Sequence, residues 1–364
     1  MSLVAEERQP ALRVVDLLQP METLDATDLY VKAGTPPMYR INGQVSSNGL
    51  PALSRDDTER LAFEMLDEVQ RAQFRAEHAV DLAYSLPGIG RFRINVYRQR
   101  GSVAFVARRV RLTIPSFAEL RLPEVLKDLS LRTRGLVLVT GHAGTGKSTT
   151  LAAMVDYRNE HKDGHIVTVE DPIEFLHADK QSIVSQREVG TDTPSFPQAL
   201  RAALRQTPDV LLIGEMRDQE SAEAALYFAE TGHLVLSTLH SVNAPQAIER
   251  MLAFFPTDHT QEVLHRLSLT LEAIVSQRLV PRADTRGRVV AIEVMLATPR
   301  IRDLVKKGEI GSIKQAIQMG TQEGMQTFDQ ALYRLHKDGL IGYDDALRAA
   351  DSPNDLKLKI KGLA

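Results

Sequence analysis

Short apolar runs, separated by polar, glycine- and proline-containing segments, divide the chain into three stretches of different character. In the first, residues 27–31 read as a strand and Gly34-Thr35-Pro36-Pro37 as a turn. Residues 38–45 read as a hairpin turning at Asn42-Gly43, a pair suited to a two-residue loop. Residues 11–18 suggest a short helix, and Ser54 before Arg55-Asp56-Asp57 a helix N-cap with an acidic first turn. Residues 79–85, 91–97 and 103–110 read as strands, which makes this part α+β. The stretch Thr113-Ile114-Pro115-Ser116 reads as a linker. The expected organisation is an N-terminal domain over 1–112, a linker over 113–120 and a second domain over 121–364.

The second stretch changes pattern. Residues 136–139 form a short, fully apolar run, as a buried parallel strand does, and residues 166–169, 210–213 and 234–237 follow. Helical patterns lie between them: Leu151, Met154 and Val155 have i, i+3, i+4 spacing, and residues 199–204 and 222–228 are further candidates. Strands alternating with helices imply parallel crossovers and a doubly wound α/β sheet. The functional residues of such a sheet belong at the carboxyl ends of its strands. From about Asp258 the chain reads as mostly helical, with Leu264, Leu267, Leu271, Ile274 and Val275 as one apolar stripe. Residues 289–296 are placed to pair with 276–280 across the polar turn 282–288. There is no internal repeat and no low-complexity tract.

Composition narrows this picture. With 364 residues, 43% hydrophobic and 25% charged, the chain is an ordinary globular sequence long enough for two domains. The net charge of -3 supplies no global basic field for nucleic acid or an acidic membrane surface. Absence of cysteine excludes disulfides, thiol catalysis and cysteine zinc sites, and fits a reducing compartment. The first eight residues, Met1 to Arg8, lack a basic segment followed by an apolar one. No apolar run approaches the roughly 18 residues that span a bilayer. The expectation is a cytoplasmic protein with no direct membrane insertion, reaching a membrane only through a partner.

The chemistry starts at Gly141-His142-Ala143-Gly144-Thr145-Gly146-Lys147-Ser148, followed by Thr149. Glycines at 141, 144 and 146 let the backbone turn its N–H groups onto phosphate oxygens, and the helix that follows adds its positive end. Lys147 is placed to reach the β- and γ-phosphates of ATP, and Ser148 to ligate Mg²⁺. In Val169-Glu170-Asp171-Pro172-Ile173-Glu174-Phe175, three carboxylates follow a strand. A carboxylate there can hold Mg²⁺ through water or accept a proton from attacking water, which makes Glu170 and Asp171 metal candidates and Glu174 a further functional candidate. Leu211-Leu212-Ile213-Gly214-Glu215 is an apolar strand ending in an acid, the Walker B pattern, with Glu215 near the metal. Many P-loop enzymes end this strand in Asp, so the residues leave open whether Glu174 or Glu215 polarises the water. His233 and His240 bracket the strand 234–239, and His240 stands where it could touch the γ-phosphate. Arg91, Arg93, Arg98, Arg100, Arg108 and Arg109 crowd the end of the first domain. Arg93 and Arg108 are candidates for cations supplied across a subunit boundary, a contribution worth ~10³–10⁵ in rate in related systems.

Taken in series, the glycine loop, Glu170-Asp171-Pro172-Ile173-Glu174, Gly214-Glu215-Met216-Arg217-Asp218 and Ala229-Glu230-Thr231-Gly232-His233 resemble a known set. They look like the Walker A, aspartate box, Walker B and histidine box of the secretion ATPases of type IV pili and type II secretion. The resemblance runs from about residue 20 to the end. Extension and secretion members typically carry a large extra N-terminal region and often a four-cysteine zinc subdomain. This short, cysteine-free chain is instead similar to the retraction ATPases of twitching motility. Gly324-Met325-Gln326-Thr327-Phe328-Asp329-Gln330-Ala331-Leu332 and Ala350-Asp351-Ser352-Pro353-Asn354-Asp355-Leu356 resemble the PilU type. Thr298-Pro299-Arg300-Ile301-Arg302-Asp303-Leu304 departs from the Ala-Ile-Arg stretch of the PilT type.

The resemblance implies a smaller PAS-like α+β domain followed by a RecA-like P-loop ATPase core with a C-terminal helical region. It further implies a homohexamer using ATP and Mg²⁺, peripheral at the inner membrane through the pilus platform protein, and accessory to a PilT-type sister. By the same resemblance Glu174 is the catalytic base, Glu215 a metal-side residue, and the first-domain arginines contacts in trans. Two other readings stay open: a pilus extension or type II secretion ATPase, and a RecA-like nucleic-acid motor. The motor predicts a basic track with stacking aromatics, whereas Trp is absent, aromatics are 5% and the net charge is negative.

Overall fold

The computed structural model describes residues 12–41, 43–110, 113–284 and 287–363. The chain divides into two compact units, Met1–Leu112 and Thr113–Ala364.

The first unit is a six-stranded antiparallel sheet. Its strands are β1 (Ala26–Lys32), β2 (Met38–Ile41), β3 (Gln44–Ser47), β4 (Ala79–Leu86), β5 (Gly90–Gln99) and β6 (Ser102–Arg109), in the order β3-β2-β1-β6-β5-β4. Period-2 alternation sets its faces. Leu29 and Val31 of β1, Phe92, Ile94 and Val96 of β5, and Phe105 and Ala107 of β6 enter one core. The helix Arg55–Met65 covers that core with Leu61, Ala62 and Met65, and Ser54 and Asp57 close its first turn as a capping box. The β2–β3 hairpin pairs Ile41 with Gln44, and the expected turn residue Asn42 lies outside the described residues. A second helix, Glu68–Glu77, is not predicted from the sequence. Only Phe74 on it is buried, so it carries no apolar period to detect.

The second unit holds a seven-stranded sheet made of β7 (Gly135–Thr140), β8 (Gly164–Glu170), β9 (Ser182–Glu188), β10 (Val210–Ile213), β11 (Leu234–Leu239), β12 (Leu271–Pro281) and β13 (Arg288–Leu296). Their order is β13-β12-β7-β11-β10-β8-β9, parallel except for the β12–β13 pair. Helices such as Lys147–His161 and Gln219–Glu230 cover the sheet, giving the α/β RecA-like arrangement. Phe117 and Leu120, on the helical turn Phe117–Leu120, pack into the core of this unit. The helix thus belongs to the unit rather than to a free-standing linker.

The structure corrects the apolar stripe. The helix carrying Leu264 and Leu267 stops at Thr270, and Leu271, Ile274 and Val275 lie on β12, hydrogen-bonded in parallel to β7. Both faces of that strand are covered, so its apolar residues lack a two-residue period and mimic helical spacing. The hairpin does form, pairing Ser276 with Glu293 and Val280 with Val289. β9 also escapes prediction: it is an edge strand of mostly half-buried polar residues.

Candidate functional site

Strand order assembles the site. β11 lies between β7, which leads into the glycine loop, and β10, which leads to Glu215. The residue after β11 therefore emerges between phosphate loop and acid. That residue is His240, whose Nε2 stands 3.0 Å from Glu215 Oε1. The other carboxylate oxygen of Glu215 accepts from Arg217 Nε at 2.9 Å, and Arg217 also faces Asp171 at 3.6 Å. Gly214 makes this geometry possible. A Cβ there would sit 3.3 Å from both Glu170 Cα and Val169 O, and the Gly214 N–H donates to Val169 O. Thr238 Oγ1 bonds Gly214 O at 2.8 Å and fixes the strand end from the other side.

The loop itself is held from below. Lys147 is buried, and its Nζ donates to Gly141 O and His142 O, both at 3.0 Å. Burial lowers its pKa, against the opposing pull of Glu215 and Glu174. Thr145 Oγ1 ties back to His142 O. Gly141 has φ +146° and no room: a Cβ would lie 2.5 Å from Thr145 Oγ1 and 2.7 Å from Gln277 O. Gly144 and Gly146 have φ of +76° and +91° with open space around them, so backbone conformation alone calls for glycine there. Gln277, buried on β12, donates its amide to Thr150 Oγ1 at 2.6 Å. The sequence does not single out Gln277, and it shows Gly214 only as a member of the Glu215 motif without its role, because both act through elements distant in the chain.

Two clefts open on the loop. One, of about 250 Å³, is lined by Lys147, Ser148, Glu170, Asp171, Glu174, Glu215 and His240. The other, of about 380 Å³, shares Gly144, Lys147, Ser148 and Glu174 and adds Thr149 with an apolar wall of Leu122, Leu279 and Val290. Within the first, Glu170 is turned back onto Thr168 Oγ1 (2.7 Å) and Gln186. Burial raises its pKa to about 7, and those two hydrogen bonds oppose the rise. Glu174 is exposed, and its carboxylate has no hydrogen-bond or ion-pair partner among the described residues. His177, absent from the sequence-based candidates, lines the same cleft. Burial lowers its pKa to about 4, so its ring is neutral.

The structure does not bring His233 into this cluster. It precedes the opposite, amino end of β11, where Nδ1 lies 3.1 Å from both Phe228 O and Thr231 Oγ1, and its ring meets Phe228 edge-on. There it fastens the turn into the strand. Arg93 and Arg108 belong to the first unit, directly paired across β5 and β6.

A phosphate loop, an acid-ended strand and flanking carboxylates at the carboxyl ends of a parallel sheet define a P-loop nucleotide-binding protein of the RecA-like class. Residues 106–333 match the family described as Type II/IV secretion system protein, and this chain belongs to that family. It is 50% identical over 345 residues to the "Type IV pilus ATPase PilU" of Pseudomonas aeruginosa, covering 95% of this chain and 90% of that protein. It is 42% identical over 342 residues to the "Type IV pilus retractation ATPase PilT" of the same organism, covering 94% and 99%. A crystal structure of the pilus retraction motor PilT with bound ADP superposes with a TM-score of 0.89 at 44% identity, covering 95% of this chain and 99% of that one.

Proposed function

We propose that this protein hydrolyses ATP to drive type IV pilus retraction, as a homohexameric PilU-type motor working beside a PilT-type sister. The observation that carries the reading is the convergence of Lys147, Ser148, Glu174, Glu215 and His240 on one cleft, in a chain half identical to PilU over nearly its whole length. Among the described residues no helix is long and apolar enough to cross a membrane. In this reading the ring acts peripherally at the inner membrane, through the platform protein.

ATP fits the two clefts: phosphates on the loop backbone and Lys147, base against Leu122, Leu279 and Val290. Mg²⁺ fits the donor set, which is all hard oxygen: the Ser148 hydroxyl and the carboxylates of Glu215, Glu170 and Asp171. No three acidic or histidine side chains among the described residues form a closed metal cage. That suits an ion which keeps several waters and shares phosphate oxygens. When bound, it would neutralise phosphate charge. Glu174, with an unengaged carboxylate, is the acceptor for a proton from attacking water. Glu215, engaged by Arg217 and His240, serves the metal side and gives His240 a link to the γ-phosphate. Arg93 and Arg108 of a neighbouring subunit would contact that phosphate and lose it on release, biasing the ring between two domain positions.

Lys147→Ala tests the reading: ATP turnover should fall to background while light scattering still reports an assembled ring. Wild-type turnover in this variant would refute it. Pilus retraction in cells carrying this gene alone, the sister alone, or both separates an independent motor from an accessory one.

A further inference from the structure

We infer that Asp28 is a positioning residue that aims Arg108 at nucleotide phosphate; this rests on the proposed trans role of Arg108. The registers of four strands place Arg40 opposite Asp28, Asp28 opposite Arg108, and Arg108 opposite Arg93. Directly paired residues share a face, so these side chains form one row across β2, β1, β6 and β5. The row lies on the sheet face away from the core that Leu29, Phe105, Ala107 and Ile94 enter. Asp28 is its only acid, and its side chain is 4% exposed although it faces away from that core.

A buried carboxylate on a short stem is a rigid anchor. Asp28 Oδ1 accepts from Arg108 Nε at 2.8 Å, while Oδ2 accepts from Thr27 Oγ1 at 2.8 Å and faces Arg40 Nε at 3.4 Å. Arg40 is fixed in turn, donating through Nε and Nη2 to Tyr30 OH at 2.9 and 2.7 Å and through Nη1 to Gly43 O. Arg108 is gripped at Nε alone. Its two terminal amino groups make no hydrogen bond among the described residues, and its side chain is 65% exposed. They are the pair that forks onto a phosphate. Arg93 stands exposed on the adjacent strand. Two like charges directly opposite repel, so three arginines around one acid leave an excess cationic charge that an anion would relieve. Asp28 thus orders Arg108 before the phosphate arrives and removes part of the entropic cost of engaging it.

The test is a double-mutant cycle in the full-length protein, with Asp28→Asn, Arg108→Ala and both together. D28N should lower kcat for ATP about 10- to 100-fold and leave KM nearly unchanged, since the contact strengthens only when charge develops. Added to R108A, D28N should cost nothing more. An equal loss from D28N in both backgrounds, or wild-type kcat in D28N alone, overturns the assignment. Wild-type turnover by R108A would instead refute the role of Arg108 itself. If D28N does not melt cooperatively, Asp28→Glu, which keeps the charge and shifts it by one methylene, reads the same coupling.

Discussion

Glu293 offers a test of how the sheet beneath the loop is balanced. It is fully buried on β13. Its Oε1 accepts from Ala244 N at 2.8 Å and Ser276 Oγ at 3.3 Å, while Oε2 has no partner. The Ala244 bond places the carboxylate at the positive end of the helix Ala244–Leu252, which favours the anion. Burial outweighs it and, with the charge of Asp351 and against that of Arg278, raises the pKa from 4.5 to about 7. At about 1.4 kcal/mol per pH unit, that interval corresponds to about 3 kcal/mol. The sign follows from proton binding: between these pH values the folded state holds more protons than the unfolded state. The contribution is fully present below about pH 4.5 and is lost as pH rises through 7. Glu293→Gln keeps the acceptor for Ala244 and removes the titration. Urea midpoints at pH 5, 6, 7 and 8 should show the variant gaining on wild type by about 3 kcal/mol across this range. Glu170 titrates similarly but is common to both proteins and cancels. Parallel stability curves for variant and wild type would refute the assignment.

The loop glycines should differ in what they tolerate. Gly144→Ala, facing open space, should cost only backbone strain, about 1–2 kcal/mol; Gly141→Ala, also at positive φ, meets Thr145 Oγ1 and the Gln277 carbonyl and should add about 1–3 kcal/mol of overpacking to that strain, as well as losing ATP affinity, and equal melting temperatures of the two variants would contradict this. For His240→Ala, the lost bond to a carboxylate is worth about 1.5–3 kcal/mol. Steady-state kcat should then fall about 10- to 100-fold with equilibrium ATP binding unchanged, and unchanged kcat would remove His240 from the reaction.

Features set by neighbours in sequence were legible. The glycine loop, the acid after an apolar strand and the Ser54 cap each declare themselves within a few residues. The first half of β12, residues 271–275, did not, because its identity depends on burial between β7 and β13, which no local period encodes. The helix at Glu68–Glu77 was invisible for the opposite reason: a single buried ring, Phe74, anchors it. His233 and His240 both entered as candidates because they bracket one strand. A six-residue strand separates them, and at about 3.3 Å per residue that puts roughly 20 Å between His233 and the cleft that His240 lines.

β12 also changes what the phosphate loop depends on. Gln277 presents its carbonyl to Gly141 and its amide to Thr150. The next residue, Arg278, points to the other face of the strand. There it donates to Ala349 O and Asp351 Oδ1, both at 2.6 Å, and lies 3.8 Å over the Phe328 ring. Asp329 in turn accepts from the Asp351 and Ser352 N–H groups. Successive residues of one strand are therefore gripped by the phosphate loop and by the C-terminal helices. The loop's shape is not a property of its eight residues alone. It rests on a strand whose position is shared with the C-terminal helices.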